Sequence, residues 1–599
     1  MQVMKPIPSE KLPIGPEWLY EIKYDGFRCL LIWEKDKVEL YSKRGLQLTS
    51  KFPEIIDFCQ QQQSTVESFL PITIDGELVV LNHPYQANFS WIQTRGRLQN
   101  EGKIHQAAST RPATYIAFDL LETNGQTTNE LPLVERKSIL QKKLKNITTE
   151  RFQFITTHQD LTAVWKIVFD HKAEGIVAKR KQSRYTPGKG HGDWYKQKNW
   201  RPLKGILTAF DTSNDYFQID VLADNIPHTI GSCKHGLDQQ EAAAIQELFR
   251  EKGERQGSSY HLPPAISASI HALDLLQGKL REPNFVQLTP NESVDHCTAK
   301  QLQLDMAMLP SEVTFSNLDK MYWPEPAMTK GDMICYLREI APYMLPFFRN
   351  RTLTMIRLPD GVGEEHFFQK HLPEHAPDFI RLEQQTSERI SCPSLATLLW
   401  FANQGAMEYH LPFQNIDSND PVEIVFDLDP PSRDQFDLAI EAALLIKELL
   451  DHLKLHSFVK TSGNKGIQIY IPIPENRLTY EDTAIFTQAV ALTVEQQRPD
   501  IFTTERIKSK RQGRLYIDYV QHGKDKTIIA PYSPRKTAEA TVAAPLYWQE
   551  VKAGLQPTQF TIANMIERIH YHGCPFQNYA AARQIQDLEP MEALIRQKN

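Results

Sequence analysis

Eight residues near the start of the chain, Glu21-Ile22-Lys23-Tyr24-Asp25-Gly26-Phe27-Arg28, constrain it more than any other stretch. A short apolar entry through Trp18, Leu19, Tyr20 and Ile22 reads as a buried strand that ends at Lys23 with the amine in a pocket. Asp25-Gly26 is a turn pair, and it would bring Arg28 back toward the anion that the lysine meets. A lysine amine attacks phosphorus only when neutral, and its ordinary pKa of about 10.4 forbids that at neutral pH. Burial, a nearby cation or a bound metal must therefore lower it if Lys23 is a nucleophile. The same residues also fit a hairpin with a charged turn.

Four further stretches follow in order. Ile74-Asp75-Gly76-Glu77-Leu78 sets carboxylates in an apolar run, and Tyr115-Ile116-Ala117-Phe118-Asp119-Leu120-Leu121 offers an aromatic in another. Glu174-Gly175-Ile176-Val177-Ala178-Lys179-Arg180 places a carboxylate before a buried run and cations, and Trp194-Tyr195-Lys196-Gln197-Lys198 alternates two lysines onto one strand face. In this order and spacing the set resembles the nucleotidyltransferase motifs of ATP-dependent DNA ligases, RNA ligases and capping enzymes. The resemblance implies that Lys23 attacks the α-phosphate of ATP and holds AMP as a phosphoramidate. It implies that Glu77 and Glu174 hold Mg²⁺ or Mn²⁺ and the ribose, and that Phe118 stacks on adenine. Arg28, Lys196 and Lys198 would neutralise phosphate charge, and Glu21 joins the nucleotide-binding set. Ser42-Lys43-Arg44-Gly45 stands where the family has Ser-Arg-Asn-Gly, so Lys43 brings a point charge in place of a bidentate fork. Arg136, in Leu131-Pro132-Leu133-Val134-Glu135-Arg136, matches a family segment and reads equally well as the start of a surface helix.

At 599 residues the chain is too long for one core and long enough for three domains. Its 41% hydrophobic and 23% charged residues are those of a soluble globular protein. A formal net charge of -6 excludes a basic DNA-coating protein, so any nucleic-acid surface must be a local patch. Residues 1–16 are rich in proline and lack the apolar core of a signal peptide, and no run is long enough to span a membrane. The seven cysteines are scattered without a Cys-x-x-Cys, which argues for a reducing compartment and against a disulfide scaffold or structural zinc.

Residues 1–201 alternate strand-like and helical stretches, as a ligase adenylation domain requires. The loop at 183–193 either touches a DNA backbone or is a solvated loop, and its glycines do not make a P-loop. Over 202–288, short β-type runs at 205–210, 216–221, 228–230 and 265–270, with one helical stretch at Gln239–Lys252, suit an OB-fold barrel. Its end, Gly278-Lys279-Leu280-Arg281-Glu282-Pro283-Asn284-Phe285, resembles the closing motif of bacterial end-joining ligases. Arg281 would then reach the pyrophosphate of ATP, or belong to a surface turn. Residues 289–311 show no sustained pattern and read as a linker that need not be ordered.

From 312 to 599 the pattern restarts. In Glu423-Ile424-Val425-Phe426-Asp427-Leu428-Asp429-Pro430-Pro431, two carboxylates share one strand face, which is unfavourable without a metal between them. Asp518 lies in a similar apolar run. Ser462-Gly463-Asn464-Lys465-Gly466-Ile467-Gln468 is a glycine loop with donors for phosphate, and Arg535 adds a cation. The constellation resembles the archaeo-eukaryotic primase-type polymerase domain of bacterial ligase D, at Lys370, His410, Asp427, Asp429, Ser462, Lys465, Asp518 and Arg535. It implies two-metal nucleotidyl transfer, with Asp427, Asp429 and Asp518 as metal ligands and the remaining residues binding the nucleotide. Gln468 stands where the family commonly has a histidine on the triphosphate, so a charge is lost there.

The expected fold class is α+β and multidomain: a nucleotidyltransferase domain, an OB-fold barrel, then a primase-like α/β polymerase. The resemblance to ligase D is to the ligase-first form without a phosphoesterase module. It implies sealing of DNA ends and nicks through a lysyl-AMP intermediate made from ATP, and addition of nucleotides, ribonucleotides by preference, with Mn²⁺ or Mg²⁺. It also implies non-homologous end joining with the Ku protein, in the bacterial cytoplasm at the nucleoid and away from membranes. A capping guanylyltransferase or an RNA ligase would share Lys23 but not the second half, and a DNA-end scaffold would need neither chemistry.

Overall fold

The computed structural model describes residues 2–384 and 389–598. The chain divides into two compact units, Met1–Met308 and Leu309–Asn599.

In the first unit the Trp18–Lys23 strand is buried along almost its whole length, which accounts for its apolar run. It pairs antiparallel with Gly175–Arg180, which continues to Trp194–Lys198. Phe27–Trp33 lies instead in a second sheet, between Val38–Ser42 and Ile72–Val79, with Thr114–Thr123 beyond. Tyr24-Asp25-Gly26 is therefore a crossover between sheets and not a hairpin turn. Gly26 is required there, because a Cβ would lie 2.2 Å from the Leu78 carbonyl oxygen. Apolar residues from both sheets, among them Leu19, Leu30, Ile116 and Trp194, pack together.

The barrel follows. Arg201–Asp211 pairs with Tyr216–Ala223 on one side and Ser259–Ala272 on the other, and Ile226–Cys233 and Asn284–Leu288 complete its two flanks. A backbone bond from Phe285 N to His235 O, 2.8 Å, ties the flanks together. The helix Gln239–Lys252 begins at a capping box of Asp238 and Glu241.

The stretch read as a linker is partly folded. Thr298 caps a helix at Ala299–Ala307, and Leu302 and Met306 join the barrel core. Two apolar positions four residues apart are too few to stand out as a helical period, so the pattern was invisible in sequence.

In the second unit a six-stranded sheet runs Phe502–Thr503, Leu515–Asp518, Glu423–Asp429, Ile467–Pro472, Phe458–Thr461, Pro545–Leu546. A four-stranded sheet carries Ala406–Pro412 beside Thr354–Arg357. Helices Phe436–His452 and Tyr480–Gln497 pack on the larger sheet. A buried fork from Arg351 to Glu423, 2.6 and 3.0 Å, fixes the start of the central strand, and Tyr579 donates to the same carboxylate at 2.6 Å.

Candidate active sites

Lys23 stands opposite Gly175 in the strand pair, which brings Glu174 to it: Lys23 Nζ donates to Glu174 Oε1 at 2.5 Å. Burial works against the ammonium, but Glu174, with Glu77 and Asp25 behind it, outweighs burial and holds the amine above its ordinary value. This corrects the expectation of a lowered pKa. In this state Lys23 is an ammonium and not yet a nucleophile. Glu174 Oε2 is buried without a hydrogen bond among the described residues, and burial pushes Glu77 up to about 8 despite Lys23 and Arg28. The unpartnered Glu174 Oε2 and the Glu77 carboxylate, which burial leaves short of positive charge, fit a hard divalent cation, which takes oxygen ligands.

Glu21, two residues before Lys23, shares its strand face. Its buried carboxylate lies between Lys137 Nζ at 2.5 Å and Lys179 Nζ at 2.7 Å. Lys179 Nζ lies 4.2 Å from the Phe118 ring centre, and burial pulls this amine down to about 8. A cavity of about 370 Å³ is lined by Glu21, Lys23, Arg28, Lys43, Glu77, Phe118 and Lys196, large enough for a nucleotide. Arg28 does not stand free for phosphate: it forks onto Asp75 at 3.0 and 2.6 Å and lies over Phe118. Lys198 is paired with Glu282, and Arg281 with Asp25, where one of two bonds is 2.7 Å. Arg281 is thus neither a simple surface turn nor unengaged. Arg136 sits near the start of the helix Leu133–Leu144, but on its buried face: it is wholly buried and forked on Asp119 at 2.7 and 2.8 Å, so it braces the fold.

In the second unit Asp427 is the cross-strand partner of both Asp518 and Gln468. Burial, then the charges of Asp429 and Asp518, push Asp427 up to about 6 against the Gln468 hydrogen bond. Among the described residues no three His, Cys, Asp or Glu side chains form a ready metal cage. Asp427 and Asp518 nonetheless fit Mg²⁺ or Mn²⁺, because the ions of nucleotidyl transfer take one or two carboxylates and complete their shell with phosphate and water. Asp429, two residues further along the same strand, bears on Asp427 through its charge and is itself met by Lys465 Nζ at 2.8 Å and Arg511 at 3.7 Å.

Ser462 Oγ accepts from Gly466 N at 3.0 Å and Asn464 N at 3.3 Å, so the hydroxyl shapes the glycine loop. Gly463 has φ +72°, and a Cβ there would meet the Arg535 side chain and the Val542 backbone at 2.7 Å. Arg535 Nε donates to Glu408 at 3.1 Å and its Nη1 to the Ser462 carbonyl at 2.9 Å. Glu408 also holds His410 at 3.2 Å, and burial keeps that imidazole below its ordinary pKa. Lys370 lies exposed just past the Phe367–Gln369 strand, and among the described residues no hydrogen bond or ion pair joins it to the acids.

Gln468 requires a correction. Its side chain is buried, and its amide is engaged by Lys460 at 2.5 Å and Asp427 at 3.1 Å, so its polar atoms are already committed to protein partners.

Sequence reasoning missed Asp75, Lys137, Glu408 and Lys460. Glu408 alternates with His410 and so shares its face, a usable signal. Lys460 interrupts the apolar run of Phe458–Thr461 two residues before Ser462, a signal that the sequence carries.

Among the described residues no helix is long and apolar enough to cross a membrane. Residues 5–198 match the model of the ATP dependent DNA ligase domain, and 329–576 that of the LigD primase-polymerase domain. The bifunctional non-homologous end joining protein LigD of Bacillus subtilis is 41% identical over 605 residues, covering 99% of this chain and 98% of that protein. The multifunctional non-homologous end joining protein LigD of Pseudomonas aeruginosa is 23% identical over 626 residues, 96% of this chain and 72% of that protein. The polymerase domain of Mycobacterium tuberculosis ligase D, solved with DNA, is 30% identical and covers 45% of this chain and 98% of its own, at a TM-score of 0.41. The chain belongs to the LigD family: it is a bifunctional DNA-repair enzyme of non-homologous end joining, with an ATP-dependent ligase domain followed by a primase-polymerase domain.

Proposed function

We propose that the first site seals DNA nicks and ends through an AMP adduct on Lys23, and that the second extends 3′ ends, ribonucleotides preferred, in concert with Ku. In the sealing half the Lys23 nitrogen bonds to the α-phosphorus of ATP as the bond to pyrophosphate breaks. Lys23 must first lose the proton that Glu174 now holds on it. Lys43 and Lys196 line the cavity and meet the phosphate charge; burial and the Lys23 charge pull Lys196 below its ordinary pKa. Mg²⁺ or Mn²⁺ held by Glu77 and Glu174 would supply the positive charge that lets the ammonium deprotonate. The observation that carries this half is that Lys23, held by Glu174, lines a nucleotide-sized cavity with Glu77, Lys43 and Lys196.

In the second half, Asp427 and Asp518 would hold divalent cations that supply Lewis acidity at the α-phosphate. Arg535 and Lys465 flank the glycine loop and gather triphosphate charge, and Glu408 keeps Arg535 and His410 aimed. Asp429, on the same strand face as Asp427, would join Asp427 and Asp518, with Lys465 beside it to offset its charge.

A gapped duplex with a 5′-phosphate tests the whole reading. With ATP, nucleoside triphosphates and Mg²⁺ or Mn²⁺, the enzyme is expected to fill with ribonucleotides ahead of deoxyribonucleotides and then seal. Lys23→Ala should fill and leave the nick, and Asp427→Ala should not fill. Joining of separate ends should rise with Ku from the same source; equal joining without Ku removes that partner.

A further inference from the structure

Four side chains stand in one row across the larger sheet of the second unit. Asp518 opposes Asp427, Asp427 opposes Gln468, and Gln468 opposes Lys460. Cross-strand partners project from the same face of a sheet. The proposed chemistry uses the first two and leaves Lys460 without a role. Yet Lys460 is wholly buried, with its nitrogen 5.7 Å from the centre of the Tyr470 ring. Burial, with Arg535 nearby, draws its pKa well below the ordinary value, so the fold keeps an amine where an amine is disfavoured.

What the amine does is visible in the bonds. Lys460 Nζ donates to Gln468 Oε1 at 2.5 Å, and Gln468 Nε2 donates to Asp427 Oδ1 at 3.1 Å. The carboxamide satisfies both neighbours in one orientation, oxygen toward the amine hydrogen and nitrogen toward the carboxylate. Without the lysine, the amide can turn its oxygen toward Asp427, and that carboxylate loses its donor.

We propose that Lys460 is a positioning residue for nucleotide addition: it fixes Gln468, which engages Asp427 Oδ1 and leaves Oδ2 for a cation. The proposal rests on the reading of Asp427 as a metal acid. Partners one shell beyond a metal ligand orient it, and their loss costs about 10- to 100-fold in metal affinity or activity.

Two readouts test it on the full chain. Mn²⁺ binding is followed by electron paramagnetic resonance in a Glu174→Ala background, which silences the other site, and steady-state nucleotide addition is measured alongside. Lys460→Met should weaken Mn²⁺ binding and lower kcat, each by about 10- to 100-fold, while KM for the nucleotide stays within about twofold. Gln468→Leu should give the same pattern, and the double variant should lose no more than either single one, because both act along one chain of contacts. Unchanged Mn²⁺ affinity in Lys460→Met, or losses that multiply in the double variant, would overturn the proposal. If Lys460→Met does not fold, Gln468→Leu still decides: normal Mn²⁺ affinity there removes the link through which Lys460 acts. Asp427→Ala separates the two levels. Activity in that variant sinks the metal-acid reading itself, whereas its loss beside a normal Lys460→Met sinks only the role of Lys460.

Discussion

Lys23 Nζ lies 2.5 Å from Glu174 Oε1, because Glu174 immediately precedes the strand whose Gly175 pairs in register with Lys23. The contact keeps the amine protonated and at its post, so the ligase rests in an unreactive state. Lys23→Ala is expected to form no AMP adduct while nucleotide addition continues. Glu174→Gln removes the charge that raises the Lys23 pKa but keeps the shape. Adduct formation should fall by about two orders of magnitude or more, through lost metal support, and the residual pH–rate profile should move to lower pH. Single-turnover labelling from pH 6 to 9 checks both; a profile unmoved by Glu174→Gln means that another group holds the proton.

The chain divides after Met308, inside the 289–311 stretch. A chain cut at 300 severs the Ala299–Ala307 helix and takes Leu302 and Met306 out of the barrel core. Each buried side chain of that kind contributes about 1.5–3 kcal/mol, so the first unit should lose several kcal/mol of stability by denaturant titration. Residues 309–599 alone should unfold cooperatively and extend a primer. An insoluble or inactive 309–599 fragment would contradict two independent units.

A histidine at position 468 would add charge to a triphosphate, and lower KM as pH falls, only if the imidazole there could protonate. With Lys460 beside it and burial around it, an imidazole there stays neutral. Gln468→His should therefore change KM for a ribonucleoside triphosphate by less than about twofold between pH 6.5 and 8, since only imidazolium carries the charge. A several-fold drop in KM at pH 6.5 alone would return the side chain to the triphosphate.

Asp427 links the site to stability. Its folded value of about 6 exceeds the ordinary 3.8, so the folded chain binds more protons than the unfolded chain between those values. Stability of the metal-free second unit should fall as pH rises through that window. Asp427→Asn should stabilise the 309–599 fragment by ~1 kcal/mol at pH 7, a figure discounted for its partial exposure, and should make no difference near pH 3.5. Thermal melts in chelator at the two pH values decide this, and an equal effect at both would remove the electrostatic cause.

Much of both sites was legible because their chemistry sits on strands. Two-residue alternation fixes a face, so Glu21 with Lys23, and Asp427 with Asp429, could be paired by counting. Counting could not show which strands would lie side by side. The Asp427–Asp518 and Lys23–Gly175 registers span many residues, and so the partners of Arg28, Lys198 and Gln468 were hidden. Asp75, Glu282 and Lys460 take up groups that the motifs alone would have assigned to phosphate. The crossover at Gly26 could not be told from a hairpin turn for the same reason: an Asp-Gly pair signals a change of direction, not which sheet receives the next strand.

One experiment bears on the ligase site without depending on turnover. The full chain is incubated with labelled ATP and Mg²⁺, denatured, digested and mapped by mass spectrometry for AMP-bearing peptides. The label should sit on Lys23 alone, be absent in Lys23→Ala and persist in Asp427→Ala. Label on any other lysine, or equal label in Lys23→Ala, would contradict the assignment of the nucleophile and the site built around it.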